Sequence, residues 1–137
     1  FIGDCIMAAW GVPLQSEAED AYHAVACAWE IQQLVASTSR KFFRGEAEKL
    51  KIGIGMHTGP LVAGNLGSSR RMDYSVIGDT VNVAARLEGV AGAGEVIITQ
   101  NTKDLIGDAF KLKKLKPVNV KGKAEAIPIY SVLDQAS

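Results

Sequence analysis

The chain has 137 residues, which is the length of one domain and enough to bury one sizeable core. Its 15 basic side chains balance its 15 acidic ones, so charge gives no reason to expect general binding to nucleic acid or an anionic membrane. The 47% share of hydrophobic residues excludes a disordered chain. No apolar run approaches the ~18 residues of a membrane span, and no signal peptide is recognisable.

The start of the chain and its two cysteines give limited information. Cys5 and Cys27 have neither the spacing of metal ligands nor a disulfide framework, so we interpret them as small buried hydrophobic side chains in a reducing compartment. Residues 1–4 already have the pattern of a strand and a turn, and no Met precedes them. We therefore expect the chain to be a piece of a longer protein.

In chain order, the first third predicts a hairpin and a long helix. Two apolar runs around Gly3-Asp4 predict a tight hairpin. Ser16 followed by Glu19 is a capping-box pattern, which predicts a helix that runs to about Thr38. Residues 40–49 predict a frayed helix end and a loop. The apolar face of the predicted helix consists of Tyr22, Val25, Ala26, Trp29, Ile31, Leu34 and Val35.

The rest of the chain predicts shorter elements. Alternating apolar residues over 50–56 predict a strand, and glycines mark most of the later boundaries. The further predicted elements are a sheet continuation over 61–64, a loop over 67–71, a strand over 74–77, a turn at Gly78-Asp79, a helix from Thr80 to about Val90, a strand over 95–99, a helix over 101–107, a basic connector over 110–117, and a final hairpin of 118–120 with 127–133. Without an internal repeat or a linker, the pattern indicates one α+β domain.

The tripeptide Ile-Gly-Asp occurs three times, ending at Asp4, Asp79 and Asp108. Most Gly-Asp pairs mark turns, and Asp108 has no further context. Asp4 lies between the apolar strands of the predicted hairpin, where a carboxylate could help to bind Mg²⁺, although a surface turn is the simpler interpretation. Asp79 precedes a predicted helix, which favours a structural role as a cap or as a charge near the helix N-terminus.

Asn82 and Arg86 are four residues apart on a predicted helix and therefore share one face. An amide and a guanidinium in this arrangement could bind a phosphate or a developing oxyanion. The simpler alternative is a local hydrogen bond for Asn82 and a solvated ion pair of Arg86 with Glu88 or Asp79. The spacing alone favours that alternative.

Other polar residues add only weak signals. Lys121-Gly122-Lys123 in a predicted turn is a weak indication of phosphate binding, because lysines in turns are usually solvated. His57 and His23 form no visible triad or metal cluster. The Walker lysine motif and the dinucleotide fingerprint are both missing from the sequence. The residues by themselves thus indicate a phosphate-handling site and nothing more specific.

Three segments together resemble the class III nucleotide cyclase catalytic domain: FIGDCIMAAWG, KIGIGMHTGPLVAGNLGSSRRMDYSVIGDTVNVAARLE and VNVKGKAEAIPIYSV. The similarity covers nearly the whole chain in the right order. It implies a partial catalytic domain over residues 1–137. The implied fold is an α+β, ferredoxin-like βαββαβ-type core with an antiparallel sheet, which lacks its first strand and helices in this chain.

The resemblance also implies roles for individual residues. Asp4 matches the second of two aspartates that hold two Mg²⁺ or Mn²⁺ ions against the triphosphate. Asn82 matches the asparagine that orients the ribose, and Arg86 the arginine that stabilises the pentavalent phosphorus. Lys121 matches a lysine that contacts the terminal phosphates, and Arg70 a loop arginine with a similar role. Lys123 and Asp79 also match family positions, and we assign them no catalytic part.

Ser75 matches the position that reads the purine in this family. A hydroxyl both donates and accepts a hydrogen bond and could read the amino group of adenine, which favours ATP as the substrate. Serine is also close in size to cysteine, which keeps a guanylyl cyclase acting on GTP open. The implied activity is the conversion of ATP to 3′,5′-cyclic AMP and pyrophosphate. A third alternative is a catalytically dead module for nucleotide binding or dimerisation, against which the retained Asp4, Asn82 and Arg86 argue.

The implied assembly is a homodimer, in which one subunit supplies the metal ligands and the other supplies the remaining site residues. The family's first metal aspartate and its purine-reading lysine would both lie before Phe1, so we expect this fragment alone to have little or no activity. We expect the domain to be cytoplasmic, in a parent that is soluble or membrane-anchored, with no nucleic acid as partner and no direct membrane contact.

Overall fold

The computed structural model describes residues 5–11, 16–42, 50–60, 62–68 and 71–136, and for 40–42, 62–68 and 71–77 it describes the backbone alone. The described elements combine helices with runs of consecutive strands that form a four-stranded sheet and a two-stranded hairpin, which confirms the α+β class. They are α1 (Glu17–Phe42), β1 (Ile54–Met56), β2 (Val62–Ser68), β3 (Arg71–Ile77), α2 (Asp79–Val90), β4 (Val96–Thr99), α3 (Gln100–Ile106), β5 (Phe110–Lys114) and β6 (Ile129–Gln135).

The described strands form a four-stranded sheet in the order β1-β4-β6-β5 and a separate hairpin of β2 with β3. The pairs β4–β6 and β5–β6 are antiparallel, whereas β1 and β4 run parallel. The larger sheet is therefore mixed rather than wholly antiparallel. A parallel pair needs a long crossover connection, and here β2, β3 and α2 supply it between β1 and β4.

Helix α1 begins where the sequence predicts but is capped differently. The hydroxyl of Ser16 donates to Glu19, while the backbone N–H of Ser16 donates to the carboxylate of Asp20 at 2.6 Å rather than to Glu19. The helix continues to Phe42, beyond the predicted end at Thr38. Residues 43–49 of the predicted loop lie outside the described residues.

The buried face of α1 differs in part from the predicted one. Val25 is fully buried, but Tyr22, Ile31 and Leu34 are exposed, Leu34 to 67%. Smaller residues are buried in their place, and Ala21 and Ala28 pack with Val25 in the core cluster that includes Val96 and Ile98 of β4. The side chains of α1 that are buried instead are Ala21, Ala24, Ala28, Gln32 and Ser39.

Gln32 joins α1 to two elements of the sheet. Its amide Nε2 donates to the backbone oxygens of Ile52 and Glu95, both at 2.9 Å. These carbonyls lie just before β1 and β4, which pair through Ile54 and Val96. A polar side chain that the prediction left outside the apolar face is thus buried, because it satisfies two backbone acceptors there.

Several predicted boundaries are wrong in instructive ways. The strand predicted over 50–56 is regular only from Ile54, and the loop predicted over 67–71 contains the paired ends Ser68 and Arg71 of β2 and β3. The predicted hairpin of 118–120 with 127–133 is reduced to one bridge between Val118 and Ile127. Most of its second strand is β6, which pairs with β4 and β5 instead.

The basic connector predicted over 110–117 contains strand β5. Phe110 is buried and Leu112 partly buried, whereas Lys111, Lys113 and Lys114 are exposed. The segment therefore has the alternation of a half-buried strand, which its lysines obscured. Exposed lysines suit its position at the edge of the described sheet, since they disfavour pairing with another strand.

The hairpin predicted around Gly3-Asp4 reaches residues 1–4, which lie outside the described residues. In its described part, Cys5 makes an isolated bridge and residues 6–9 belong to no regular element. Ile6 is 73% exposed and Met7 43%. Both cysteines are unpaired and partly rather than fully buried, which corrects the expectation for Cys5 and Cys27.

Candidate functional site

Three residues that the sequence singled out line one open cleft of about 400 Å³ beside helix α2. Asn82 and Arg86 come from α2, and Lys121 comes from the turn that follows Val120. We name this site the α2 cleft; its lining residues are Asn82, Ala85, Arg86, Val120 and Lys121. The structure thus brings Lys121 to the helix face that carries the Asn82–Arg86 pair.

The opposite face of α2 fixes the helix to the core. Val83 and Leu87 are completely buried, together with Val120 and Ile129, in one hydrophobic cluster. At the start of the helix, the hydroxyl of Thr80 donates to the backbone oxygen of Pro60. Because buried positions alternate with Asn82 and Arg86 along the helix, these two side chains are directed to solvent.

Arg86 is oriented by a backbone acceptor rather than by an acidic side chain. Its Nε donates to the carbonyl oxygen of Asn119 at 3.1 Å. The alternative interpretation paired Arg86 with Glu88 or Asp79, but the recorded ion pair of Asp79 is with Lys123. A guanidinium has five N–H donors, so one bond through Nε leaves its two terminal amino groups for a ligand.

The turn that carries Lys121 is held close to α2. The backbone N–H of Lys123 donates to the oxygen of Val120 at 3.0 Å, and Gly122 has a φ of 88°. This positive φ favours glycine, because a side chain there would be strained. Lys121 itself is exposed, and Val120 beside it is buried at 6% exposure. The lysine therefore extends from an anchored backbone.

A second groove of about 380 Å³ is lined by Lys123, and His57 forms part of its wall. The Nδ1 of His57 is 2.7 Å from the hydroxyl oxygen of Thr99, which is fully buried at the end of β4. Burial lowers the pKa of His57 below its usual 6.5; the nearby charge of Lys123 lowers this pKa further, and Asp79 opposes the shift. We name this site the His57 groove.

The sequence predicted no role for His57, Thr99 or the pairing of Asp79 with Lys123. The last of these is an ion pair in which the two side chains are 58% and 41% exposed. The N-cap of α2 is Gly78 and not Asp79, so the capping alternative is wrong; Asp79 lies in the first turn, where its charge is near the helix N-terminus as the sequence predicts. Asp79 and Lys123 are 44 positions apart, so no local sequence pattern could have predicted that they pair.

The side chains of the other three predicted site residues lie outside what the structure describes. Asp4 and Arg70 lie outside the described residues, and for Ser75 the structure describes the backbone, which pairs with Gly64 in the β2–β3 hairpin. In the described ranges, no three His, Cys, Asp or Glu side chains converge as metal ligands.

The α2 cleft has the chemistry of a site for a phosphorylated ligand. Arg86 and Lys121 supply positive charge, and Asn82 supplies an amide that can both donate and accept. No carboxylate is among the described residues that line the cleft. Separately, none of the described helices is both long and apolar enough to span a membrane.

Comparison with known proteins identifies the family. The family model described as Adenylate and Guanylate cyclase catalytic domain matches residues 1–133. Adenylate cyclase 1 of Rhizobium meliloti (strain 1021) is 31% identical over 141 residues, covering 97% of this chain, which spans only 20% of that relative.

Solved structures agree with the family match. The adenylyl cyclase CyaB from P. aeruginosa has a TM-score of 0.88 at 34% identity, covering 98% of this chain and 69% of that one. The guanylyl cyclase Cya2 has a TM-score of 0.84 at 31% identity, covering 93% and 64%. The chain therefore belongs to the adenylate and guanylate cyclase catalytic domain family, the class III nucleotide cyclases.

Proposed function

We propose that the chain, over residues 1–137, is part of a catalytic domain that converts ATP to 3′,5′-cyclic AMP and pyrophosphate. The observation that carries this proposal is the convergence of Asn82, Arg86 and Lys121 on one cleft. In the reaction, the ribose 3′-oxygen forms a bond to the α-phosphorus and loses its proton, while the bond from the α-phosphorus to the bridging oxygen of pyrophosphate breaks.

Each residue of the α2 cleft has a task in this proposal. The amide of Asn82 holds the ribose so that the 3′-oxygen faces the α-phosphorus. The guanidinium of Arg86, oriented by the carbonyl of Asn119, stabilises the charge that develops on the α-phosphate oxygens. Lys121 neutralises the terminal phosphates, which leave as pyrophosphate, and Arg70 is proposed to assist it.

Divalent cations belong to the same proposal. Asp4 is the residue of this chain proposed to hold Mg²⁺ or Mn²⁺, two ions per site, and such ions neutralise phosphate charge when bound. One carboxylate is too few to hold a pair of ions. We therefore propose that a further acidic ligand completes the site.

A dimer accounts for the composition of the α2 cleft. Its described lining supplies cations and an amide, so we propose that the metal-binding carboxylates come from a second copy of the chain. Such a homodimer would contain two equivalent shared sites. The domain itself is proposed to be cytoplasmic and to act on a soluble nucleotide, without nucleic acid or direct membrane contact.

The choice of ATP over GTP depends on Ser75 in β3. Its hydroxyl is proposed to read the adenine amino group. The two solved relatives above include an adenylyl and a guanylyl cyclase at 34% and 31% identity, a difference too small to favour one nucleotide. GTP therefore stays as the alternative substrate, and direct competition decides between them.

The test is turnover of ATP and GTP, alone and in competition, by the full-length protein with Mg²⁺ or Mn²⁺. We expect cyclic AMP as the main product, and Arg86→Ala to lower kcat by roughly 10²-fold or more, as is typical when a donor to a developing charge is lost. A matched control is Lys113→Ala, which removes an exposed cation of β5 outside the α2 cleft.

Two results would contradict the proposal. If cyclic GMP were the main product, the protein would be a guanylyl cyclase, which is the stated alternative. Nucleotide binding without any cyclic product, in a protein that dimerises normally, would favour a catalytically dead binding module.

A further inference from the structure

Lys123 has no assigned task, yet it connects three parts of the molecule. It ends the turn that carries Lys121, it forms an ion pair with Asp79 at the start of α2, and it lines the His57 groove. We propose that Lys123 and Asp79 are positioning residues, whose ion pair sets the placement of Lys121 opposite Asn82 and Arg86. This inference rests on the function proposed for Lys121.

The first step in the argument concerns the backbone between the two lysines. The N–H of Lys123 donates to the oxygen of Val120, so the four residues from 120 to 123 close one tight turn. Lys121 and Lys123 flank Gly122, which alone in this turn has a positive φ, at 88°. A glycine at this point leaves the turn soft, and its geometry then depends on how its two ends are held.

The second step is that both ends of the turn are held to α2. On the near side, Val120 packs with Val83 and Leu87, and the carbonyl of Asn119 accepts from Arg86 at 3.1 Å. On the far side, the described attachment to α2 is the ion pair between Lys123 and Asp79. Without it, the buried side would still be in place, but the far side of the turn could move.

The third step is that this ion pair is poorly explained as a source of stability. Its side chains are 41% and 58% exposed, and exposed ion pairs contribute little to folding. A positional role needs only that the pair restricts where Lys121 can lie. Small displacements of a phosphate-binding group reduce catalysis strongly even where folding is unaffected.

The experiment compares lysine variants in the full-length protein, with the nucleotide that the protein turns over. We expect Lys123→Met to lower kcat/KM by about tenfold, chiefly through KM, and to weaken inhibition by added pyrophosphate to a similar degree. Lys123→Arg keeps the positive charge and should restore most of the activity. The matched control Lys113→Met removes an exposed lysine from β5 and should change neither quantity.

A double-variant cycle identifies the route of the effect. If Lys123 acts through Lys121, then Lys121→Met and the double Lys121→Met/Lys123→Met variant should have the same kcat/KM, because nothing is left to position. If the two substitutions lowered kcat/KM by factors that multiply in the double variant, Lys123 would act independently of Lys121 and the inference would be overturned. Asp79→Asn should reproduce the phenotype of Lys123→Met.

The remaining outcomes separate this inference from the proposed function. If Lys121→Met impairs turnover while Lys123→Met matches Lys113→Met, the positioning role is wrong and the function of the cleft stands. If Lys121→Met has no effect on turnover or on pyrophosphate inhibition, both the task of Lys121 and the positioning role are wrong. Thermal unfolding of each variant shows whether it is folded. If Lys123→Met is not, Asp79→Asn provides the test, because it breaks the same ion pair from the other side.

Discussion

His57 is a partly buried titratable residue whose environment favours its neutral form. Burial is the main cause of its lowered pKa, the charge of Lys123 adds to the shift, and Asp79 counteracts it. The neutral imidazole can accept or donate one hydrogen bond to Thr99, at 2.7 Å. Because unfolding exposes the ring to water, its pKa in the unfolded chain returns to the ordinary value near 6.5.

This difference in pKa predicts a pH dependence of stability. With a folded pKa below the unfolded one, the unfolded state binds the proton first, so His57 destabilises the fold as pH falls from about 6.5 toward the folded pKa. We expect His57→Gln to reduce the loss of unfolding free energy between about pH 7 and pH 5. Urea titrations of the parent protein and of His57→Gln at several pH values measure the unfolding free energy of each.

The control for His57→Gln is His23→Gln, because His23 is exposed on α1. That variant removes a histidine but leaves the contact of His57 with Thr99 in place, so the two variants together separate the effect of His57 from that of losing any histidine. A parallel decline of stability in the parent and His57→Gln would show that other groups cause the pH dependence. The lysine variant Lys123→Met should move the pKa of His57 upward, since it removes a neighbouring positive charge.

At the scale of elements, the position of α2 over β1 depends on Gly55. A Cβ built on Gly55 would lie 2.1 Å from the backbone nitrogen of Glu88 and 2.5 Å from the carbonyl carbon of Leu87. Both obstacles are helix backbone, which cannot rotate away. The strand and the helix therefore touch backbone to backbone at this point, and the site residues on the outer face of α2 are placed by that contact.

Gly55→Ala should consequently destabilise the protein by about 3 kcal/mol or more, the upper range for overpacking a core, and should also lower cyclase activity by displacing α2. Chemical denaturation and turnover at a permissive temperature measure the two effects. Because the contact of Gly55 with α2 positions the helix, we expect the activity of Gly55→Ala to fall even in molecules that remain folded.

Gly89 offers a matched control in the same helix. A Cβ there meets nothing within 4 Å, so Gly89→Ala should stabilise the protein by about 0.5–1 kcal/mol, the difference in helix propensity. If Gly55→Ala and Gly89→Ala changed stability equally, the close approach of β1 to α2 would not be the reason for a glycine at position 55.

At the scale of the whole molecule, the proposed shared site predicts complementation between two inactive variants. Asp4→Ala removes the proposed metal ligand, and Asn82→Ala removes the proposed ribose contact. A mixed dimer of these full-length variants should contain one intact site and one doubly defective site. Refolding or co-expressing the two in equal amounts should recover roughly a quarter of the parent activity, since half of the dimers are mixed and each has one of two sites.

The proper control mixes Asp4→Ala with the double variant Asp4→Ala/Asn82→Ala, in which no intact site can form. If the mixture of Asp4→Ala with Asn82→Ala were never more active than this control, the proposed division of the site between subunits would be refuted. Size-exclusion chromatography of each mixture verifies that dimers are present in both.

Local patterns in the sequence predicted much of the architecture. The starts of α1 and α2, the extent of α2 to Val90 and the buried strand β4 lie within one residue of their predicted positions. Capping residues, turn glycines and periodic apolar residues act over a few positions, so they can be recognised without knowing the fold. The spacing of Asn82 and Arg86 likewise established that they share a helix face.

Where prediction failed, the deciding contact was distant in sequence. Lysines obscured β5 because its strand character depends on pairing with β6, some 20 residues further along. The exposed Ile31 and Leu34 and the buried Gln32 on α1 depend on what the sheet presents to each side chain. A periodic pattern describes which residues share a face and not which neighbours cover it.

The sequence by itself therefore determined the family, the α+β class and the shared face of Asn82 and Arg86. Only the tertiary structure decided that Lys121 joins that face, that Arg86 donates to Asn119 and that Asp79 pairs with Lys123. The physical reason is the separation along the chain of the residues that interact. Helical spacing is fixed by bonds within one turn of the chain, whereas these contacts form only when packing of Val120 against Val83 and Leu87 brings segments more than 30 residues apart together.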